Sequence, residues 1–112
     1  MRNKNYRLVK QLHELQRKQD RGIKSVVWKL SEEQIAFFGK YYLIEAYSYS
    51  IKTKKFARIH ETHSSLLKDI HYSNKKGKNT LIRRLSDEQK DLLSSKNVEY
   101  HPLEYRIILM NR

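Results

Sequence analysis

The chain has 112 residues, of which 38% are hydrophobic; 24 Lys and Arg stand against 12 Asp and Glu, for a net charge of +12 and a pI near 10.0. Without cysteine it has no disulfide framework and no thiolate metal site. No apolar run approaches the ~20 residues a membrane-crossing helix needs, and eight Tyr with only three Gly and one Pro argue against disorder.

The length predicts one domain with a real core. The lack of cysteine suits a cytoplasmic, reducing setting, and the charged N-terminus is followed by no apolar stretch of the kind a signal peptide carries. The charge points to polyanionic partners, nucleic acid before anionic membrane.

In chain order, residues 1–5 read as a basic tail and 6–20 as a helix. Leu8, Leu12 and Leu15 recur at helical spacing with Val9 beside them, and Arg7, Lys10, Arg17 and Arg21 form an opposite cationic stripe, flanked by Lys18 and interrupted by Glu14. Such a helix docks its apolar face on a sheet and leaves a cationic face for solvent or phosphates. With no Trp or Phe on the apolar side, a membrane-surface role ranks low. Gly22 marks the helix's end.

Residues 24–30 predict a strand, with Val26, Trp28 and Leu30 on one face and Val27 with Lys29 on the other. Ser31 with Gln34 then forms a capping box, and Glu32 and Glu33 fill the first helical turn, where the helix dipole favours acids. Gly39 ends that short helix. The stretch from Tyr41 to Ile51 fits one helical face but is crowded with strand-prone Tyr, Leu and Ile.

Residues 54–73 predict a long connecting helix with Phe56, Ile59, His63, Leu66 or Leu67, and Ile70 on its buried face. Its start is basic, with Lys52, Lys54, Lys55 and Arg58, against the preference of the dipole. Residues 73–79 read as a loop carrying Lys75, Lys76 and Lys78. A strand over 80–85 and a helix over 87–95 follow. From Val98 to Met110 the chain reads as extended, with a break near His101-Pro102.

The segment from Val26 to Gln34 recurs from Leu81 to Gln89, an offset of 55. Four of the nine positions are identical, four conservative, and only Trp28 over Arg83 is unlike. Both copies spell strand, cap, helix, and the second resolves the ambiguity in the first: Pro102 would interrupt a continuous helix, so the first copy too turns into a strand near residue 41. The expected fold is α+β: an N-terminal helix (1–21), repeat units over 24–51 and 79–110, and a connecting helix (53–73) between them. Helices would pack on a small, mostly antiparallel sheet, similar in topology alone to the ferredoxin-like arrangement.

No pattern announces chemistry. His60 and His63 are three apart with His71 within reach, but His63 falls on the predicted apolar face and cysteine is lacking, so no metal site is assigned. The acid pairs Glu32-Glu33 and Asp87-Glu88 are explained by capping. With no nucleophile elbow and no phosphate-cradling glycine loop, no catalytic residue and no cofactor are assigned.

Charge is segregated. Residues 1–29 carry a net +7, 52–60 a net +4 and 75–84 a net +5, while the remainder sums to −4. The function expected is a small non-enzymatic nucleic-acid-binding protein, DNA or RNA, regulatory or accessory. It would contact phosphates through Arg7, Lys10, Arg17, Lys18 and Arg21, then Lys52, Lys54, Lys55 and Arg58, then Lys75, Lys76 and Lys78. Tyr6, Tyr49 and Tyr72 lie near these clusters and are candidate stacking rings. The alternative is a protein-interaction module or small inhibitor that docks on an acidic partner through the Tyr-rich stretch 41–49.

Overall fold

The computed structural model describes residues 4–54 and 64–110. In order, it contains α1 (Lys4–Asp20), β1 (Ser25–Trp28), α2 (Glu32–Phe38), β2 (Leu43–Lys52), α3 (Ser65–Lys75), β3 (Thr80–Arg83), α4 (Asp87–Ser95) and β4 (Tyr100–Ile108). The class is α+β: among the described residues there are four helices and a four-stranded antiparallel sheet in the order β1-β4-β2-β3.

The closing strand of each half lies inside the sheet and the opening strand at its edge, the reverse of a ferredoxin-like sheet. The opening strands are short and pair with the closing strand of the other half. Ser25–Trp28 runs against Ile108–Tyr105, and Thr80–Arg83 against Lys52–Tyr49.

Local chemistry sets the helix ends. Ser31 Oγ accepts from the Gln34 backbone N–H at 3.2 Å, while the Ser31 N–H donates to Gln34 Oε1 at 2.8 Å. Ser86 and Gln89 repeat this at 3.2 and 2.9 Å. Two of the four orphan N–H groups of each helix are thereby satisfied. α1 closes on Gly22 at φ +87°, with Gly22 N–H donating to the Gln19 carbonyl and Ile23 N–H to the Lys18 carbonyl. α3 closes identically on Gly77 at φ +82°, with Gly77 and Lys78 donating to Asn74 and Ser73. Both are Schellman closures, which require a left-handed residue that glycine adopts without strain.

Three expectations are corrected. The connecting helix is not continuous from residue 54: α3 begins at Ser65 after an extended Ser64 (φ −110°, ψ 131°), and residues 55–63 lie outside the described ones. A serine pair favours a cap over a helix interior, and Phe56, Ile59 and His63 lie outside the described residues. At its other end α3 runs on to Lys75, three residues into the expected loop.

The third correction is that β4 passes through His101-Pro102 without a break. Its pairing with β1 starts only at Tyr105. Pro102 lies outside the part of β4 that pairs with β1, so it interrupts no bond of that ladder. From Leu43 onward the stretch is strand, as the second copy suggested, and Tyr41 and Tyr42 lie in the turn before it.

The chain divides into two compact units, Met1–Tyr47 with Glu104–Arg112, and Ser48–Leu103. In the first unit Leu8, Leu12, Leu15, Phe38, Ile107 and Leu109 form the core, with Val26, Trp28, Leu30, Phe37, Tyr42 and Ile44 packed against it. In the second, Ile51, Leu66, Leu67, Ile70, Leu93 and Val98 do so, with Leu81, Leu85, Leu92 and Tyr100 around them. Each fully buried apolar side chain contributes about 1.5–3 kcal/mol.

Candidate functional site

The described cations singled out in the sequence fall into two groups, one on each unit. On the first, Arg7, Lys10, Arg17 and Arg21 are exposed along α1 and Lys18 is half-buried, while Leu8, Leu12 and Leu15 are buried on the helix's other side. No ion pair joins any of these five cations to a described residue within 4.0 Å. Tyr6, at the start of the stripe, is 61% exposed.

The second group is assembled by the fold. The expected geometry put residues 52–58 and 75–78 at opposite ends of one long helix. The structure instead brings Lys52 and Lys54 to the same end of α3 as Lys75, Lys76 and Lys78. Thr53 makes the junction: its N–H donates to the Asn79 carbonyl at 2.9 Å and its hydroxyl to the Lys78 carbonyl at 2.6 Å. Thr53 itself is fully buried, and Lys52 is the register partner of Thr80. All five lysines are exposed around the Gly77 turn. Lys55 and Arg58 lie outside the described residues.

Cations at a helix C-terminus are favoured by its dipole, which accounts for Lys75 and Lys76. It does not account for Lys52 and Lys54, which arrive from the end of β2. Lys52 has a carboxylate partner, Glu99 at 3.0 Å, in a pair whose side chains are 60% and 64% exposed. Such solvated pairs are worth little and exchange readily for another anion.

Tyr72 stands among these lysines with 58% exposure, and Lys76 Nζ sits 4.5 Å from its ring centroid, so one ring face already meets a cation. Tyr49 is not available for stacking. It is only 7% exposed, edge-to-face with Tyr100, and its hydroxyl accepts from Lys90 Nζ at 3.3 Å. Lys90 also pairs with Asp87 at 3.1 Å; the bond to Asp87 and then that to Tyr49 hold its ammonium above the usual lysine range.

A feature that sequence reasoning missed lies in the first unit, an open cleft of about 840 Å³ beside the end of α1. Gln16, Gln19, Lys24 and Tyr41 line it, together with Tyr42, Leu109 and Met110. Tyr42 OH donates to Gln19 Oε1 at 3.0 Å. Burial, and then the charge of Asp20, push the Tyr42 phenol above its ordinary value. No residue pattern announces this cleft, because its lining comes from three separate stretches of the chain.

Among the described residues no cluster of three or more His, Asp or Glu could hold a metal ion; His60 and His63 lie outside them. Among the same residues no helix is long and apolar enough to cross a membrane. Comparison of the chain with family models, with curated proteins and with solved structures returns no match.

Proposed function

We propose that the chain is a small, non-enzymatic nucleic-acid-binding protein of the cytoplasm, regulatory or accessory in role, that grips phosphates through two cationic surfaces. The observation that carries this reading is the lysine cluster at the Gly77 turn, where Lys52 and Lys54 join Lys75, Lys76 and Lys78 from a distant part of the chain. Gathering like charges destabilises a compact state, so a polyanionic ligand explains the cluster better than stability does. The stripe on α1, whose cations form no ion pair with a described residue, supplies a second surface of the same sign. On this reading the two α-β-α-β halves are copies of one ancestral unit, each keeping a cationic helix end.

A second reading, a module that docks on an acidic protein through the Tyr-rich stretch, draws on Tyr41 and Leu43, which are 54% and 59% exposed. Its surface is smaller than the composition suggested, because Tyr49 is buried and Arg106 lies over Tyr47, 4.9 Å from the ring centroid.

Titration of labelled single-stranded and duplex oligonucleotides across a range of salt separates the two. Phosphate binding gives an affinity that falls linearly in a log–log plot against salt. No affinity for either oligonucleotide at low salt overturns the first reading. Tight, salt-insensitive capture of an acidic protein then favours the second.

A further inference from the structure

We propose that the cleft of the first unit is a pocket for one unpaired base of a bound strand, with Lys24 taking the neighbouring phosphate. This rests on the nucleic-acid reading above and specifies the form of the ligand.

The first argument is the cleft's chemistry. Its volume, about 840 Å³, lies in the range of small-ligand sites, ~300–1,000 Å³. Tyr41 presents its ring to solvent at 54% exposure and is steadied from within by Phe37, whose ring centroid is 5.7 Å away at an interplanar angle of 55°. A braced ring with an open face is a stacking surface for any base. Met110, 37% exposed, adds a polarizable thioether suited to aromatic contact. Because Gln19 Oε1 already accepts from Tyr42, the orientation of its amide is set and its Nε2 hydrogens remain as donors toward a carbonyl or ring nitrogen on a base edge. Lys24 supplies the cation, and no ion pair joins it to a described residue within 4.0 Å. The Lys24 carbonyl accepts from the Leu109 and Met110 N–H groups at 2.8 and 3.3 Å, which fixes this side of the cleft.

The second argument comes from comparing the units. Along the closing strands the halves correspond at an offset of 56, since Ser25 pairs with Ile108 and Thr80 with Lys52. Tyr41, Tyr42 and Met110 then correspond to Asn97, Val98 and Lys54, and Lys24, at the earlier offset of 55, to Asn79. Val98 is 9% exposed, and Asn97 makes a left-handed turn at φ +59°. The shared fold therefore has no need of two tyrosines and a methionine at these positions, and the first unit carries them where they line a cleft.

The test measures affinity for a labelled single-stranded oligonucleotide, for an abasic strand with the same number of phosphates, and for a duplex. The parent should prefer the base-containing strand over the abasic one by about tenfold, the scale of a single stacked base. Tyr41→Ala should erase most of that preference while leaving abasic affinity, salt slope and melting temperature unchanged. Ile82→Ala, an exposed position outside both cationic surfaces, should retain it. Equal affinity of the parent for the two strands overturns the base pocket and leaves phosphate binding standing. So does a Tyr41→Ala variant that keeps the preference, or one that loses only the capture of a protein. If the parent binds no nucleic acid at all, the pocket and the reading beneath it fall together.

Discussion

The first unit gathers Trp28, Phe37 and Phe38 into one aromatic cluster, whereas the second keeps its ring pair, Tyr49 and Tyr100, at other positions. Phe38 lies edge-on to Trp28 at 6.3 Å and to Phe37 at 5.6 Å. At the corresponding positions stand Leu93, Arg83 and Leu92. Arg83 is not a core residue: it pairs with Asp69 at the surface of the second unit. Several core positions nevertheless match, with Leu12 and Leu15 answering Leu67 and Ile70, and Ile107 answering Ile51, while Leu66 and Leu109 have Gln11 and Thr53 opposite them. What is common to both units is capping, glycine closure and the spacing of buried positions. What differs is the volume that fills each core and the side chains left at the rim. The shared set specifies the fold, and the differing set is free to specify function.

Cavity-forming substitutions probe this contrast most strongly. Phe38→Ala should cost about 3–5 kcal/mol and Leu93→Ala about 2–5 kcal/mol, read from denaturant midpoints. A mild Phe38→Ala would show that the aromatic cluster does not organise the first core. Next in size are the glycine closures. Gly22→Ala and Gly77→Ala should each cost about 1–2 kcal/mol, since each places a Cβ in left-handed backbone with no other atom in its way. The two values should agree to within a few tenths. One large and one negligible value would break the equivalence of the helix ends.

Smaller still are the caps. Ser31→Ala and Ser86→Ala should each cost about 1 kcal/mol, and thermal melts in which neither moves would sink the capping account. The smallest expected effect is at alkaline pH. Tyr42 and Lys90 both hold their protons more tightly folded than unfolded. The unfolded chain therefore binds fewer protons once pH passes the ordinary values of 10.0 and 10.5, and stability falls as pH rises through that window. The slope should shrink in Tyr42→Phe and again in Lys90→Met.

Much of this architecture is legible in the residues because it is local. A serine followed three residues later by glutamine, a glycine after a periodic run, and leucines at helical spacing each fix their own few residues, and the helices at 4–20, 32–38 and 87–95 follow from them. Pairing is not local. Nothing in the spacing of β1 says that its partner is β4, or that Pro102 falls outside the stretch paired with β1. The site suffered most. Lys54 and Lys76 looked far apart because a single helix was drawn between them, whereas one buried threonine at the end of β2 brings the two segments together. The cleft depends on where Tyr41 and Met110 converge, which only the folded chain reveals.

The central claim is that the lysines at the Gly77 turn bind phosphates, and the salt dependence of affinity tests it directly. Log affinity for a duplex should be plotted against log salt for the parent, for Lys75→Ala/Lys76→Ala and for Lys52→Ala/Lys54→Ala. Each lost phosphate contact lowers the magnitude of the slope by about 0.9, so each double variant should lose about 1 to 2, weaken binding alike for all sequences, and melt within about 0.5 kcal/mol of the parent. Slopes identical to the parent in both double variants would contradict the account.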